Sequence, residues 1–380
     1  MSTIRCLILA TIFLSEALAL PAAAGLGSNH HRTGDVDVLG SQAGVPPKLV
    51  FASDQPIAQV ASMLSQTAVM ADLKELQAGI ALSLPDLSAE RAHIVRQLNK
   101  AGIPVTAWLT LPGKEGYYVN AGNAPEAAAR FVEFERWTAE FGLHWAAVGL
   151  DIEPSLQDFS ALRSSKLRLA ATLFRRYFEW DRVRRAKESY VALIREIQSH
   201  GYPVETYQFP FIADERKMHS TLLERLAGIV DIRGNQEVLM LYTSFNPKID
   251  SALIWVYGRE TQAIAVGSTA GSASDHFVPL NWAAFSRDLI VAHHFSNEIG
   301  VYNLEGCVQQ GFLQRLIAMD WHREVVIPAE SAEKAVQFRM RIQRAIWIGS
   351  HLPYFALMII VVSTAGVAWR RRKRRTGTRP

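Results

Sequence analysis

Cysteine is nearly missing from this 380-residue chain, which holds two. Cys6 lies in an apolar leader and Cys307 stands alone in the body, so an exported body would have no internal disulfide to staple it. An excess of one charge is missing too. Lys and Arg number 40 against 36 Asp and Glu, and 7 of the basic residues fall in the final stretch "RRRKRRTGTRP", which leaves 33 against 36 elsewhere. A body so close to neutral lacks the electrostatic footprint of a nucleic-acid binder. No glycine-rich phosphate loop follows the first strand, whose exit reads "VFASDQP", and this argues against an open doubly wound dinucleotide-binding sheet. Disorder is excluded by composition, with 49% hydrophobic and 20% charged residues.

Long apolar runs occur at the two ends. Residues 1–24 carry one positive charge at Arg5, then an apolar run, then small residues suited to signal peptidase, and read as a cleaved secretory signal. Near the other end "LPYFALMIIVVSTAGVAW" (352–369) has no charge, and with the residues upstream from Ala345 it reaches the ~20 residues a bilayer core requires. The basic cluster that follows fixes that side as cytoplasmic, so the body faces the periplasmic or extracellular side of a cytoplasmic membrane. Segment 25–47 is rich in Gly, Ser and polar residues and reads as a linker; its His30–His31 pair is expected to be solvated, not metal-binding. The expected division is signal 1–24, linker 25–47, barrel 48–320, juxtamembrane segment 321–344, transmembrane helix 345–369 and cytoplasmic tail 370–380.

Between these ends, short apolar runs alternate with amphipathic segments. The strand candidates are 48–53, 78–84, 104–111, 145–152, 204–211, 237–244, 263–268 and 299–304; "PEAAARFVEFERWTAEFG" (125–142) is typical of the helices between them. Strands alternating with helices imply parallel pairing through right-handed crossovers, and eight units over about 270 residues match an α/β fold of the (β/α)8 TIM-barrel type. One connection, 155–203, is oversized and holds the basic, aromatic "LFRRYFEWDRVRRAKESY", expected as an extra helix or a lid with a solvated charged face.

The run "WAAVGLDIEPS" (145–155) carries the chemistry. Residues two apart on a strand point the same way, so Asp151 and Glu153 project together at the carboxyl end of strand four, where barrels of this type place their active sites. Other residues expected around that mouth are Trp108, Tyr117 and Tyr118 from strand three and its loop, and Asp54, Asp86, Gln208, Tyr242, Ser244, Tyr302, Asn303 and Glu305. Carboxylates and amides that bind hydroxyls, with aromatic faces that stack on pyranose rings, suit a sugar. No cofactor and no metal is called for.

At these positions the chain resembles the chitinase-like family 18 glycoside hydrolases. Their Asp-x-Glu of strand four is matched by Asp151-Ile152-Glu153, the Met-x-Tyr of strand six by Met240-Leu241-Tyr242, and the strand-eight aromatic by Tyr302. The resemblance implies Glu153 as general acid, Asp151 as the group that orients a substrate acetamido group, and Tyr242 as its hydrogen-bond donor, in a substrate-assisted mechanism. The chain departs from the pattern at Gly149 and Thr243, where aspartates are expected, and at Tyr302, where Trp is usual. A substrate without the acetamido group would need a second carboxylate, with Glu305 and Asp86 as candidates. Two functions follow. One is a membrane-anchored glycosidase acting on an envelope or secreted polysaccharide, with envelope polysaccharide machinery as a partner. The alternative is a silent carbohydrate-binding barrel that serves as scaffold or sensor at the membrane.

Overall fold

The computed structural model describes residues 38–39, 45–155, 166–270 and 278–376; the expected signal, most of the linker with its His30–His31 pair, and the last four residues of the tail lie outside them. Eight parallel strands close on themselves in chain order: β1 (Lys48–Ser53), β2 (Gly79–Ser83), β3 (Val105–Trp108), β4 (Ala147–Asp151), β5 (Val204–Gln208), β6 (Gln236–Met240), β7 (Ala263–Gly267) and β8 (Glu298–Tyr302). Closure is made by β8 against β1, with Gly300 opposite Val50 and Tyr302 opposite Ala52.

Strand alternation explains the barrel's two surfaces. One set of side chains, among them Leu49, Phe51, Ile80, Leu82, Val148, Leu150, Ile264, Val266, Ile299 and Val301, is at most 1% exposed and packs under the helices. The other set points inward and mixes sizes. Small residues at Gly79, Ala81, Gly149, Ala265 and Gly300 leave room for Trp108, Tyr207, Met240 and Tyr302. A Cβ on Gly149 would meet Tyr207 Cε2 at 3.2 Å and Thr106 Cγ2 at 3.4 Å, so the Tyr207 ring already fills the space a side chain there would need.

The helix Ala124–Phe141 begins on a proline in its first turn and stops at Gly142, which takes the left-handed φ of 60° that ends many helices. The oversized connection contains two helices, Lys166–Tyr177 and Trp180–Ser199. The second has 20 residues, about 30 Å, and ends shortly before β5, whose five residues span about 17 Å. Its Trp180 end therefore rises well beyond the carboxyl ends of the strands.

The body does not stop at residue 320. Trp321, Val325 and Ile327 are buried, and a single helix, Ala329–Thr376, then crosses the outside of the barrel. Ala335, Ile342, Ala345 and Ile346 bury one face of it, Phe338 packs on Phe211 at 6.0 Å between ring centres, and Arg339 Nε donates to Asp214 Oδ1 at 2.8 Å. Contact persists to Ser350, whose hydroxyl shares a 2.7 Å hydrogen bond with that of Ser220. The packed part thus runs several residues past 345, where the span was expected to begin. From Leu352 onward the large apolar side chains other than Phe355 are exposed, and among the described residues this is one helix long and apolar enough to cross a membrane.

Candidate active site

The backbone stays extended past β4, which keeps Asp151 and Glu153 on one face. Val119 of the β3–β4 loop pairs with Ile152: Val119 N donates to Asp151 O at 3.0 Å, and Glu153 N donates to Val119 O at 3.1 Å. On the other side Ile152 N donates to Tyr207 O at 3.1 Å. The two acids are thus clamped between a loop and β5. The loop is itself fixed by Asn123, whose Oδ1 accepts from Asn120 N and from the Tyr190 hydroxyl while its Nδ2 donates to Tyr118 O.

A cleft open to solvent lies at the carboxyl ends of the strands. Asp151 and Glu153 line it together with Trp108, Tyr118, Tyr207, Met240, Tyr242, Phe245 and Tyr302. Both acids are buried, at 5% and 4% exposure. Asp151 is pushed well above the ordinary carboxylate range, first by burial, then by the charges of Glu153 and Asp54; Trp108 opposes the shift without closing a hydrogen bond of normal geometry. Asp151 Oδ1 has no hydrogen-bond partner. The phenols of Tyr118 and Tyr242 are raised by burial and then by these same carboxylates, so they remain hydroxyl donors.

Asp54 joins the group from β1. It continues the inward alternation through Ala52, accepts a 2.9 Å hydrogen bond from the Tyr302 hydroxyl, and is raised by burial against that bond. The Tyr302 ring lies 5.6 Å from that of Tyr242, so the two aromatics form one wall. Tyr117, at a left-handed φ of 63°, packs edge-on against Tyr118 at 4.9 Å, and burial pushes its hydroxyl up to about 12.

Three expected residues sit elsewhere. Gln208 follows inward-facing Tyr207 by one position and so points out of the barrel, where Nε2 donates to Ile232 O at 2.6 Å. Asp86 is gripped by Arg91 at 2.8 Å; burial works to raise it, but hydrogen bonds from Arg91 and Ser88 bring it down to about 2. Glu305 accepts from Ser53 Oγ, and burial lifts it to about 7 against that bond, with the charge of Asp54 adding to the rise. Thr243, where an aspartate was expected, turns its hydroxyl to Asp288 of the helix Trp282–Phe295. Asp54, a strand-end acid expected at the mouth, does join the group, and so does Tyr207, which was not among the expected residues. Parity signals both, since each lies an even number of positions from another inward residue on its strand.

No family model and no curated protein matches the chain. Among solved structures it is similar to the glycoside hydrolase domain of PgaB (BpsB) from Bordetella bronchiseptica, at 12% identity and a TM-score of 0.43, covering 72% of this chain and 98% of that one. It is also similar to an L-ribulose 3-epimerase, at 12% identity and a TM-score of 0.38 over 79% of this chain and 96% of the other. The catalytic domain of a mannanase from Streptomyces sp. SirexAA-E follows at 9% identity and a TM-score of 0.35, covering 75% and 86%. Hydrolases and epimerases both occur among these structures.

Proposed function

We propose that this protein is a membrane-anchored glycoside hydrolase that acts on an envelope or secreted polysaccharide, with Glu153 as the proton donor. The observation that carries this reading is the placement of Asp151 and Glu153 side by side in an aromatic-walled cleft at the mouth of the barrel. Two buried acids whose charges bear on each other resist ionising together, so the pair holds one proton where a lone carboxyl would have lost it. Glu153 delivers that proton to the leaving glycosidic oxygen, a step worth about 10²- to 10⁴-fold in rate. Trp108, Tyr242 and Tyr302 supply faces for the sugar ring.

The substrate-assisted route fits the neighbours of Glu153. Asp86 is tied to Arg91 and Glu305 to Ser53, whereas the charge felt most strongly by Asp151 is that of Glu153. Asp151 then orients an acetamido group, Tyr242 donates to it, and its oxygen attacks the anomeric carbon as the glycosidic bond breaks. The test is hydrolysis and binding of N-acetylated and deacetylated glycans by wild type and Glu153→Gln side by side. Glu153→Gln is expected to bind N-acetylated glycan and to cut it at least 10²-fold more slowly, while the deacetylated glycan resists the wild type. A wild type that binds glycans and cuts none of them overturns this reading in favour of a silent carbohydrate-binding barrel.

A further inference from the structure

Three large aromatics stand exposed on the β4–β5 crossover: Phe174 at 71%, Phe178 at 51% and Trp180 at 47%. They are not loose side chains on a mobile surface. Phe174 packs edge-on against Phe178 at 5.3 Å, and Phe178 against Tyr177 at 5.0 Å and Trp180 at 5.8 Å. Arg225 lies over the rings of Tyr177 and Trp180 at 4.9 and 4.4 Å, and Arg176 donates to Leu226 O at 3.1 Å. The cluster is therefore an apolar knuckle fixed to the barrel, with one side left uncovered by the described residues.

Its position identifies what covers it. The Tyr177 hydroxyl donates to Gly349 O at 2.8 Å, and the exposed apolar run of the C-terminal helix starts at Leu352, three residues and about 5 Å further on. Exposed Trp347 and Tyr354 sit on that helix at the same level, joined through the His351 ring at 4.7 and 6.0 Å. From Leu352 to Trp369 the run is about 27 Å long, close to the thickness of a bilayer core. The knuckle thus lies where the headgroup layer would begin, the depth at which Trp and Tyr gather in membrane proteins.

We infer that Phe174, Phe178 and Trp180 form a second membrane contact, inserted into the lipid interface beside the span. This rests on the reading of the C-terminal helix as a span. Two contacts, one on each of two elements, fix the barrel's attitude where a single helix would leave it free to swivel. Because the Trp180 end of its helix rises beyond the carboxyl ends of the strands, the contact holds the cleft's rim at the bilayer surface. The substrate it favours is glycan displayed at that surface.

The test uses the full chain in lipid nanodiscs with an environment-sensitive fluorophore on single cysteines. Cys6 is replaced by serine, and Cys307, being fully buried, stays unlabelled. Labels at Phe174→Cys and Phe178→Cys are expected to emit to the blue and to lose more than half their intensity to quencher lipids carrying the quencher near the headgroup. A label at Val132→Cys, exposed on the helix Ala124–Phe141, is expected to be unaffected. A label at Ile359→Cys reports the span through quenchers placed deep in the chains. Quenching at Ile359 without quenching at Phe174 and Phe178 overturns the second contact alone. Blue emission at Phe178 without lipid quenching overturns it in favour of a second copy covering the knuckle. No quenching at Ile359 removes the span and the inference with it.

Discussion

Asp151 is expected to weaken the fold it serves, and Asp151→Asn to reveal this. The side chain is 5% exposed, its Oδ1 has no partner, and its nearest charges, those of Glu153 and Asp54, share its sign. Its folded pKa lies well above the ordinary 3.8 for the same reasons, burial first. The folded state therefore binds the proton more tightly than the unfolded chain does. The stability this confers is fully present below 3.8, where both states are protonated, and is lost as pH rises toward the folded value. Asparagine keeps the shape and has no charge to desolvate, so the variant loses that slope. At pH about 8 it should be more stable than the wild type by about 1.4 kcal/mol for every pH unit that separates the unfolded and folded values, and should melt several degrees higher. At pH about 4 the difference should nearly vanish, while hydrolysis falls at every pH. Thermal melts of the two proteins in matched detergent across that range read this directly. A variant less stable than wild type at pH about 8, or one with the same pH slope, would mean that Asp151 is ionised and satisfied in the fold.

Two further changes probe the cleft's construction and the boundary of the body. Gly149→Asp restores a carboxylate where the resembled pattern has one, yet it must displace the Tyr207 ring 3.2 Å away; it is expected to cost about 1–3 kcal/mol, and Tyr207→Ala in the same chain to recover part of that in a double-mutant cycle. Truncation after His351 should release a folded, detergent-free body, whereas truncation after Gln343 also removes buried Ala345 and Ile346 and the Gly349 and Ser350 contacts, and should lose at least about 2 kcal/mol by chemical denaturation.

The eight strands were legible because strands buried on both faces read as nearly unbroken apolar runs. Their carboxyl ends were less so. Leu84, Leu109, Leu111 and Leu241 extend the apolar runs beyond the last ladder residues, and they are buried in the loops at the mouth. Alternation carried the pair Asp151 and Glu153, but it had to be anchored on every strand. On β5 the polar Gln208 drew the reading, while the inward residue is its neighbour Tyr207. Asp86 was unreadable for a different cause: its partner Arg91 comes from the following helix, and nothing in the local pattern announces the grip. At the carboxyl terminus, hydropathy alone cannot separate Ala345 and Ile346, which face the barrel, from Leu357 and Ile360, which face outward.

The same geometry bears on the carboxylate missing at Gly149. In an open sheet, an acid lost from one strand leaves the strand's site without that charge. In a closed barrel, the inward residues of all eight strands converge on one axis, and a residue of β1 can reach a residue of β4 across the mouth. Here Tyr207 occupies the space at Gly149, and the further carboxylate whose charge bears on Asp151 is Asp54, held by Tyr302 from the opposite side. The polar group around Asp151 is thus assembled from three separate strands' ends: Asp151 at the end of β4 and Glu153 just past it, Asp54 after β1, and the Tyr302 hydroxyl from β8. A motif written as spacing along one strand cannot register this arrangement, because its members are neighbours in the mouth and lie up to 248 positions apart in the chain.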